Sequence, residues 1–96
     1  MYGTIAKLKV KKGGLEELRK METERQPKGY VASYAFQSDN DPSEIWMVAI
    51  FENKETYMAN ADSQEQDQEF RKLQQYLSAE PEWHDGEIVL ANQKSS

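Results

Sequence analysis

The run EIWMVAIF, residues Glu44 to Phe51, does not alternate. Ile45, Met47, Ala49 and Phe51 are apolar, and so are Trp46, Val48 and Ile50 between them. Successive side chains of a strand point to opposite faces, so a strand of this composition is buried on both sides. Any fold for this chain has to cover both faces of that one strand.

The flanking segments supply cover for one face. YGTIAKLKV alternates, with Tyr2, Thr4, Ala6, Leu8 and Val10 pointing one way and Gly3, Ile5, Lys7 and Lys9 the other. Gly13-Gly14 breaks that strand. LEELRKMETERQ then sets Leu15, Leu18 and Met21 on one stripe, which predicts an amphipathic helix ended by Pro27 and Gly29. GYVASYAF predicts a second strand, with Tyr30, Ala32, Tyr34 and Phe36 on one face and Val31, Ser33 and Ala35 on the other. QSDNDPS is a turn, because Asn and Asp tolerate unusual backbone angles and Pro fixes one.

After the third strand, Asn53 can cap a short helix, KETYMANA. Ser63 restarts helix with Gln66 in capping-box spacing, and Phe70, Leu73 and Leu77 form the next apolar stripe. Pro81 ends this helix, GEIVLA follows as a fourth strand, and residues 92–96 are a frayed tail. The order is β-α-β-β-α-β, the ferredoxin-like split arrangement of the α+β class, in one domain spanning residues 1–96. Right-handed crossovers place both helical regions on one face of a four-stranded antiparallel sheet. The other face of the third strand remains to be covered, and the economical cover is the same face of a second copy. The expectation is a homodimer joined through the sheet face, a closed dimeric barrel.

Composition narrows the partners. With 17 acidic against 12 basic residues and a formal charge of −5, the chain does not suit a nucleic-acid backbone, whose affinity is built from Lys and Arg contacts. It has no cysteine, which removes disulfides, thiolate nucleophiles and Cys-type metal sites. No apolar run approaches a membrane span, and residues 1–10 read as a strand and not as a signal peptide. No membrane partner and a cytoplasmic location are therefore expected.

Over IWMVAIFENKETYMANADSQEQDQEFRKLQQYL, and with the element order over roughly residues 1–91, the chain resembles the antibiotic-biosynthesis monooxygenase domains of the dimeric α+β barrel superfamily. The shared pattern is an apolar strand ending in an aromatic, a helix start like "EAY", a small polar cluster and a second helix. The resemblance implies a cofactor-independent oxygenase of an electron-rich aromatic. Haem-degrading relatives carry an iron-ligating histidine where this chain has Tyr57-Met58-Ala59-Asn60, and a tryptophan where it has Phe51. Haem is accordingly disfavoured, and no cofactor is expected.

Several residues bear chemistry. His84 is the only histidine, and an imidazole titrates near neutral pH, which suits a general base. Its neighbour Asp85 is a weak orienter, since adjacent residues of an extended segment point apart. Asn60 and Tyr57, at i and i+3 on the short helix, can share a face and bind a substrate oxygen or developing oxyanion. Asn60 can equally serve to end that helix. Trp46, Tyr34 and Phe51 are expected to wall an aromatic pocket for a small aromatic ligand. Asp62, Glu65 and Glu69 have no histidine to complete a metal set, and read as a solvated helix face. The alternative of a different class is a non-catalytic dimeric module that binds a small ligand or has a stress-related role.

Overall fold

The computed structural model describes residues 1–22 and 26–94. Four strands, β1 (Tyr2–Lys9), β2 (Tyr30–Gln37), β3 (Glu44–Phe51) and β4 (Glu82–Glu87), and three helices, α1 (Gly14–Glu22), α2 (Lys54–Ala61) and α3 (Gln64–Gln74), follow the expected order. The sheet is antiparallel with spatial order β2-β3-β1-β4. This is the ferredoxin-like α+β arrangement, with β1 and β3 as the central pair.

The alternation in β1 decides which side is core. Ala6 and Leu8 are 0% and 1% exposed, while Ile5 between Thr4 and Ala6 is 47% exposed. Ala6, Leu8, Val10, Ile45, Leu73 and Leu77 form the buried cluster, and the α1 stripe of Leu15, Leu18 and Met21 packs against it. Gly13, at φ 81, supplies the left-handed turn that starts α1. The expected last turn of this helix falls on residues 23–25, outside the described residues, as do residues 95–96 of the tail.

Local caps fix the helices that frame the site. The Asn53 side chain accepts from Thr56 N at 2.8 Å, and the Ser63 hydroxyl accepts from Gln66 N at 3.1 Å. Each satisfies a backbone N–H that the first helical turn leaves without a partner. The Ser63 hydroxyl also donates to Asn60 O at 2.7 Å, which holds the end of α2 against the start of α3.

Two boundaries and the regularity of one strand differ from expectation, the boundaries for a tertiary reason. α3 stops at Gln74 and not at Pro81. The end of β1 captures the following segment: Lys11 N donates to Tyr76 O at 2.7 Å, Ser78 N donates to Lys9 O at 2.8 Å, and Val10 bridges Leu77. Leu77 is thus buried from a non-helical segment. The fourth strand is EWHDGE and not GEIVLA. Its ladder ends where Glu87 pairs with Tyr2, and Ile88 N donates to Met1 O at 2.9 Å just beyond it. Val89 and Leu90 lie outside the strand and are 92% and 79% exposed.

The third difference is an irregularity in β2. Tyr30 pairs with Phe51 and Ala32 with Ile50, so Val31 is an extra residue opposite the β3 ladder. The extra residue sends Tyr30 to the helix side, away from Tyr34 and Phe36. The face away from the helices consequently gathers Ile5, Tyr34, Phe36, Trp46, Val48 and Ile50 by register. Tyr34 and Phe36 are 59% and 61% exposed, and the Lys7 ammonium lies 5.9 Å from the Trp46 ring centroid.

Candidate functional site

Between the helices and the inner face of the sheet lies a cleft of about 410 Å³. That is within the roughly 300–1,000 Å³ typical of small-molecule sites. Its floor comes from the inward residues of β1 and β3, namely Thr4, Met47, Ala49 and Phe51, and α2 and α3 contribute Tyr57, Asn60, Gln66, Phe70 and Leu73. A smaller cleft of about 230 Å³ opens between α1 and the β2–β3 end. It is lined mainly by core side chains such as Leu8, Leu15, Leu18, Ile45 and Met47.

Aromatic rings build the walls of the larger cleft. Phe51 stands edge-on to Tyr30 at 6.0 Å and to Tyr57 at 5.6 Å. Tyr57 also meets Tyr2 at 5.2 Å. On the other side Phe70 and Trp83 are 6.0 Å apart. Offset and edge-to-face contacts of this kind add to area burial and hold the rings in fixed orientations. The Tyr30 hydroxyl is 2.7 Å from the Ser33 hydroxyl at the β2 side.

Polar groups enter at a few points. Asn60 Nδ2 donates to Gln66 Oε1 at 3.3 Å, which sets the amide at the junction of α2 and α3. The Tyr57 hydroxyl donates to Asp85 Oδ1 at 2.9 Å. Burial pushes the Tyr57 phenol up to about 12, the hydrogen bond to Asp85 adds to this, and the nearby Thr4 hydroxyl opposes it. Thr4 makes no hydrogen bond of ordinary geometry, however. It is 5% exposed, and its Oγ1 has no partner among the described residues.

A phenol raised in this way stays neutral across the physiological range. Because the folded state holds the proton more tightly, the stabilisation it brings is complete below the ordinary tyrosine value of 10.0 and is lost as pH rises towards about 12. Alkaline titration of tyrosinate absorbance is expected to show a late component from Tyr57 in the folded protein. That late component is expected to be missing in Tyr57→Phe.

The structure divides the site residues suggested by sequence into two groups. Asn60, Tyr57 and Phe51 meet at the cleft. Trp46, Tyr34 and His84 do not, because strand alternation turns them to the opposite face: Trp46 pairs with Lys7, Tyr34 with Val48 and His84 with Ile5. A pocket between helices and sheet therefore has no wall from Trp46 or Tyr34. On that opposite face His84 Nε2 is 3.1 Å from Glu82 Oε1, two residues away on the same side of β4. Asp85 points to the helix side, as the alternation of an extended segment requires.

Sequence reasoning missed Thr4 as a site residue and weighed Asp85 only beside His84. The available signal for Thr4 was its being the one small hydroxyl residue in the inward row Tyr2, Thr4, Ala6, Leu8. Among the described residues, no group of three or more His, Cys, Asp or Glu side chains is arranged to hold a metal ion. No described helix is long and apolar enough to cross a membrane.

Comparison with solved structures gives the same fold. A Deinococcus radiodurans protein provisionally named an antibiotic biosynthesis monooxygenase superposes with TM-score 0.77, at 13% identity over 100% of both chains. A Chloroflexus aurantiacus protein with the same provisional name gives TM-score 0.77 at 19% identity over 96% of each chain. A Nitrosomonas europaea protein of unknown function gives 0.73 at 17% identity, covering 99% of this chain and 95% of the other. No family model and no curated protein matches the sequence.

Proposed function

We propose that the chain is a cofactor-independent monooxygenase of a small electron-rich aromatic, of the anthrone or quinol type. The observation that carries this reading is the aromatic-walled cleft, with Asn60 and Tyr57 among its polar lining. The reading is supported by the shared fold with proteins provisionally named antibiotic biosynthesis monooxygenases. In such a reaction the substrate anion itself reduces oxygen. For an anthrone-type carbon, one oxygen atom enters the product as a carbonyl, and the other leaves as water with the two hydrogens of that carbon. The protein's share is to exclude water, orient the ring between aromatic walls and stabilise the substrate oxygen by hydrogen bonds.

Incubation of the metal-free protein with an anthrone-type substrate under isotopically labelled oxygen tests this. Labelled product formed faster than in buffer is the expected result. Background-rate product would leave the second reading, a non-catalytic module that binds a small ligand. One observation favours that second reading: the only imidazole of the chain lies on the other side of the sheet from the cleft.

The working form in this proposal is a homodimer located in the cytoplasm. The apolar outer face of β1, β2 and β3 is the surface that would pair, with a second copy as its cover. Haem has no part in the proposal, since the resemblance puts Asn60 or its neighbour, and not a histidine, at the position of the haem ligand.

A further inference from the structure

The inward side chains of β3 are Ile45, Met47, Ala49 and Phe51, and one of the four is small. Ile45 and Phe51 are 1% and 3% exposed. Ala49, on a central strand beneath the helices, is only half-buried and lines the larger cleft. Protein interiors are close-packed, so a methyl group in the middle of a sheet is ordinarily covered by larger neighbours. Here the neighbours leave it open. The register partners of Ala49 are Thr4 on β1 and Ser33 on β2, both short. The Thr4 side chain is itself buried beside Tyr57.

The positions two residues away on β3 carry Met47 and Phe51, at about 6.6 Å along the strand on either side of Ala49. Phe51 is held edge-on to Tyr57 at 5.6 Å. From the helical layer, Leu18 and Met21 of α1 and Phe70 and Leu73 of α3 line the same cleft. The floor is therefore a gap between an aromatic ring and a thioether, with the Ala49 methyl at its bottom. Both flanks suit an aromatic ligand, since rings and thioether sulfur make favourable contacts with a ring edge or face.

We infer that Ala49 is the specificity-determining residue of the cleft. The gap over its methyl group is the space into which the ligand's ring system reaches, and the depth of that gap sets how large a fused aromatic can be seated between Met47 and Phe51. A longer side chain at this one position shortens the cleft from its floor and leaves the polar groups at the α2–α3 junction in place. This inference rests on the larger cleft being the ligand site of the proposed function, and it does not require that oxygen chemistry take place there.

The test is equilibrium dialysis of 1-naphthol and 9-phenanthrol, hydroxyarenes of two and three fused rings, against the wild type, Ala49→Ser, Ala49→Val and Ala49→Leu. The wild type is expected to bind 9-phenanthrol at least about threefold more tightly than 1-naphthol, because the third ring buries further apolar surface. Ala49→Ser keeps the size of the side chain and is expected to keep that ratio within about twofold. Ala49→Val and Ala49→Leu are expected to lower the ratio progressively, by at least about tenfold in Ala49→Leu, with 1-naphthol affinity within about threefold of the wild type. A merely structural role for Ala49 would weaken both ligands together.

Thermal unfolding without ligand supplies a second readout. In a filled core the extra methyl groups of Ala49→Leu would overpack and lower the midpoint by about 5 °C or more. Over an open gap the midpoint is expected to stay within about 3 °C of the wild type or to rise.

A wild type that prefers 1-naphthol or binds neither ligand, a ratio unchanged in Ala49→Leu, equal weakening of both ligands, or the lowered midpoint overturns the inference. Absence of labelled product together with a ratio that falls in Ala49→Leu removes the monooxygenase reading and leaves this one standing. Labelled product with an unchanged ratio does the reverse.

Discussion

Leu8→Ala is expected to cost about 2–5 kcal/mol of folding stability, in the range of large-to-small core substitutions. Leu8 is 1% exposed and, with Ile45, is one of the two largest fully buried side chains. The two are paired across the central β1–β3 ladder, so truncation opens a cavity where neither strand can move in to fill it. Small domains have only about 5–15 kcal/mol in total, and the buried cluster here is small. The thermal midpoint should fall by on the order of 10 °C or more. Urea denaturation at one fixed protein concentration checks this, with an unchanged slope and a lower midpoint as the expected signature. A loss below about 1 kcal/mol would mean that the centre of the core has been misplaced.

Three residues earlier on the same strand, the opposite result is expected. Ile5→Lys should leave the protomer folded, with a stability change of about 1 kcal/mol or less, because Ile5 is 47% exposed in the single chain. In the proposed homodimer, however, Ile5 lies at the centre of the pairing face, between Val48 on β3 and His84 on β4. A lysine there, close to Lys7, would place an unpaired charge in a desolvated contact, which costs several kcal/mol. Sedimentation is expected to give a dimer for the wild type and a monomer for Ile5→Lys at micromolar concentration. A wild-type monomer would remove the dimer proposal, and the apolar outer face would then need another cover.

These two substitutions separate what the sequence made legible from what it did not. The β1 alternation and the doubly apolar β3 were readable because strand geometry has a period of two and each face keeps its character over many residues. The caps at Asn53 and Ser63 were readable because they are local, requiring only a side chain and a backbone N–H three residues on. The end of α3 and the start of β4 were not readable. Both are set by backbone contacts made far away in the chain, such as Ser78 N to Lys9 O and Ile88 N to Met1 O. Apolar character drew the expected fourth strand towards Val89 and Leu90, yet hydrogen-bond partners, and not hydropathy, determine where a strand stops.

The site shows the same division. Asn60, Tyr57 and Phe51 could be grouped from spacing and resemblance, and they meet at the cleft. Trp46 and Tyr34 were grouped with them by residue type, while alternation along β2 and β3 turns them to the outer face. The extra residue at Val31 further separates Tyr34 from Tyr30, and no local sequence signal marks it. The Tyr57–Asp85 contact spans 28 residues, beyond the reach of any spacing rule. Thr4 becomes conspicuous only when its buried hydroxyl is found beside the Tyr57 phenol.

The central claim is that chemistry belongs to the cleft on the helix side, and not to the histidine on the other face. Oxygen uptake with an anthrone- or quinol-type substrate, measured for the wild type, Asn60→Ala and His84→Ala, tests it most directly. The account predicts a rate reduced at least about tenfold in Asn60→Ala, as for loss of a group that stabilises a developing oxyanion, and a His84→Ala rate within about twofold of the wild type. A His84→Ala rate reduced tenfold or more, with Asn60→Ala unaffected, would contradict it and move the site to the outer face of the sheet.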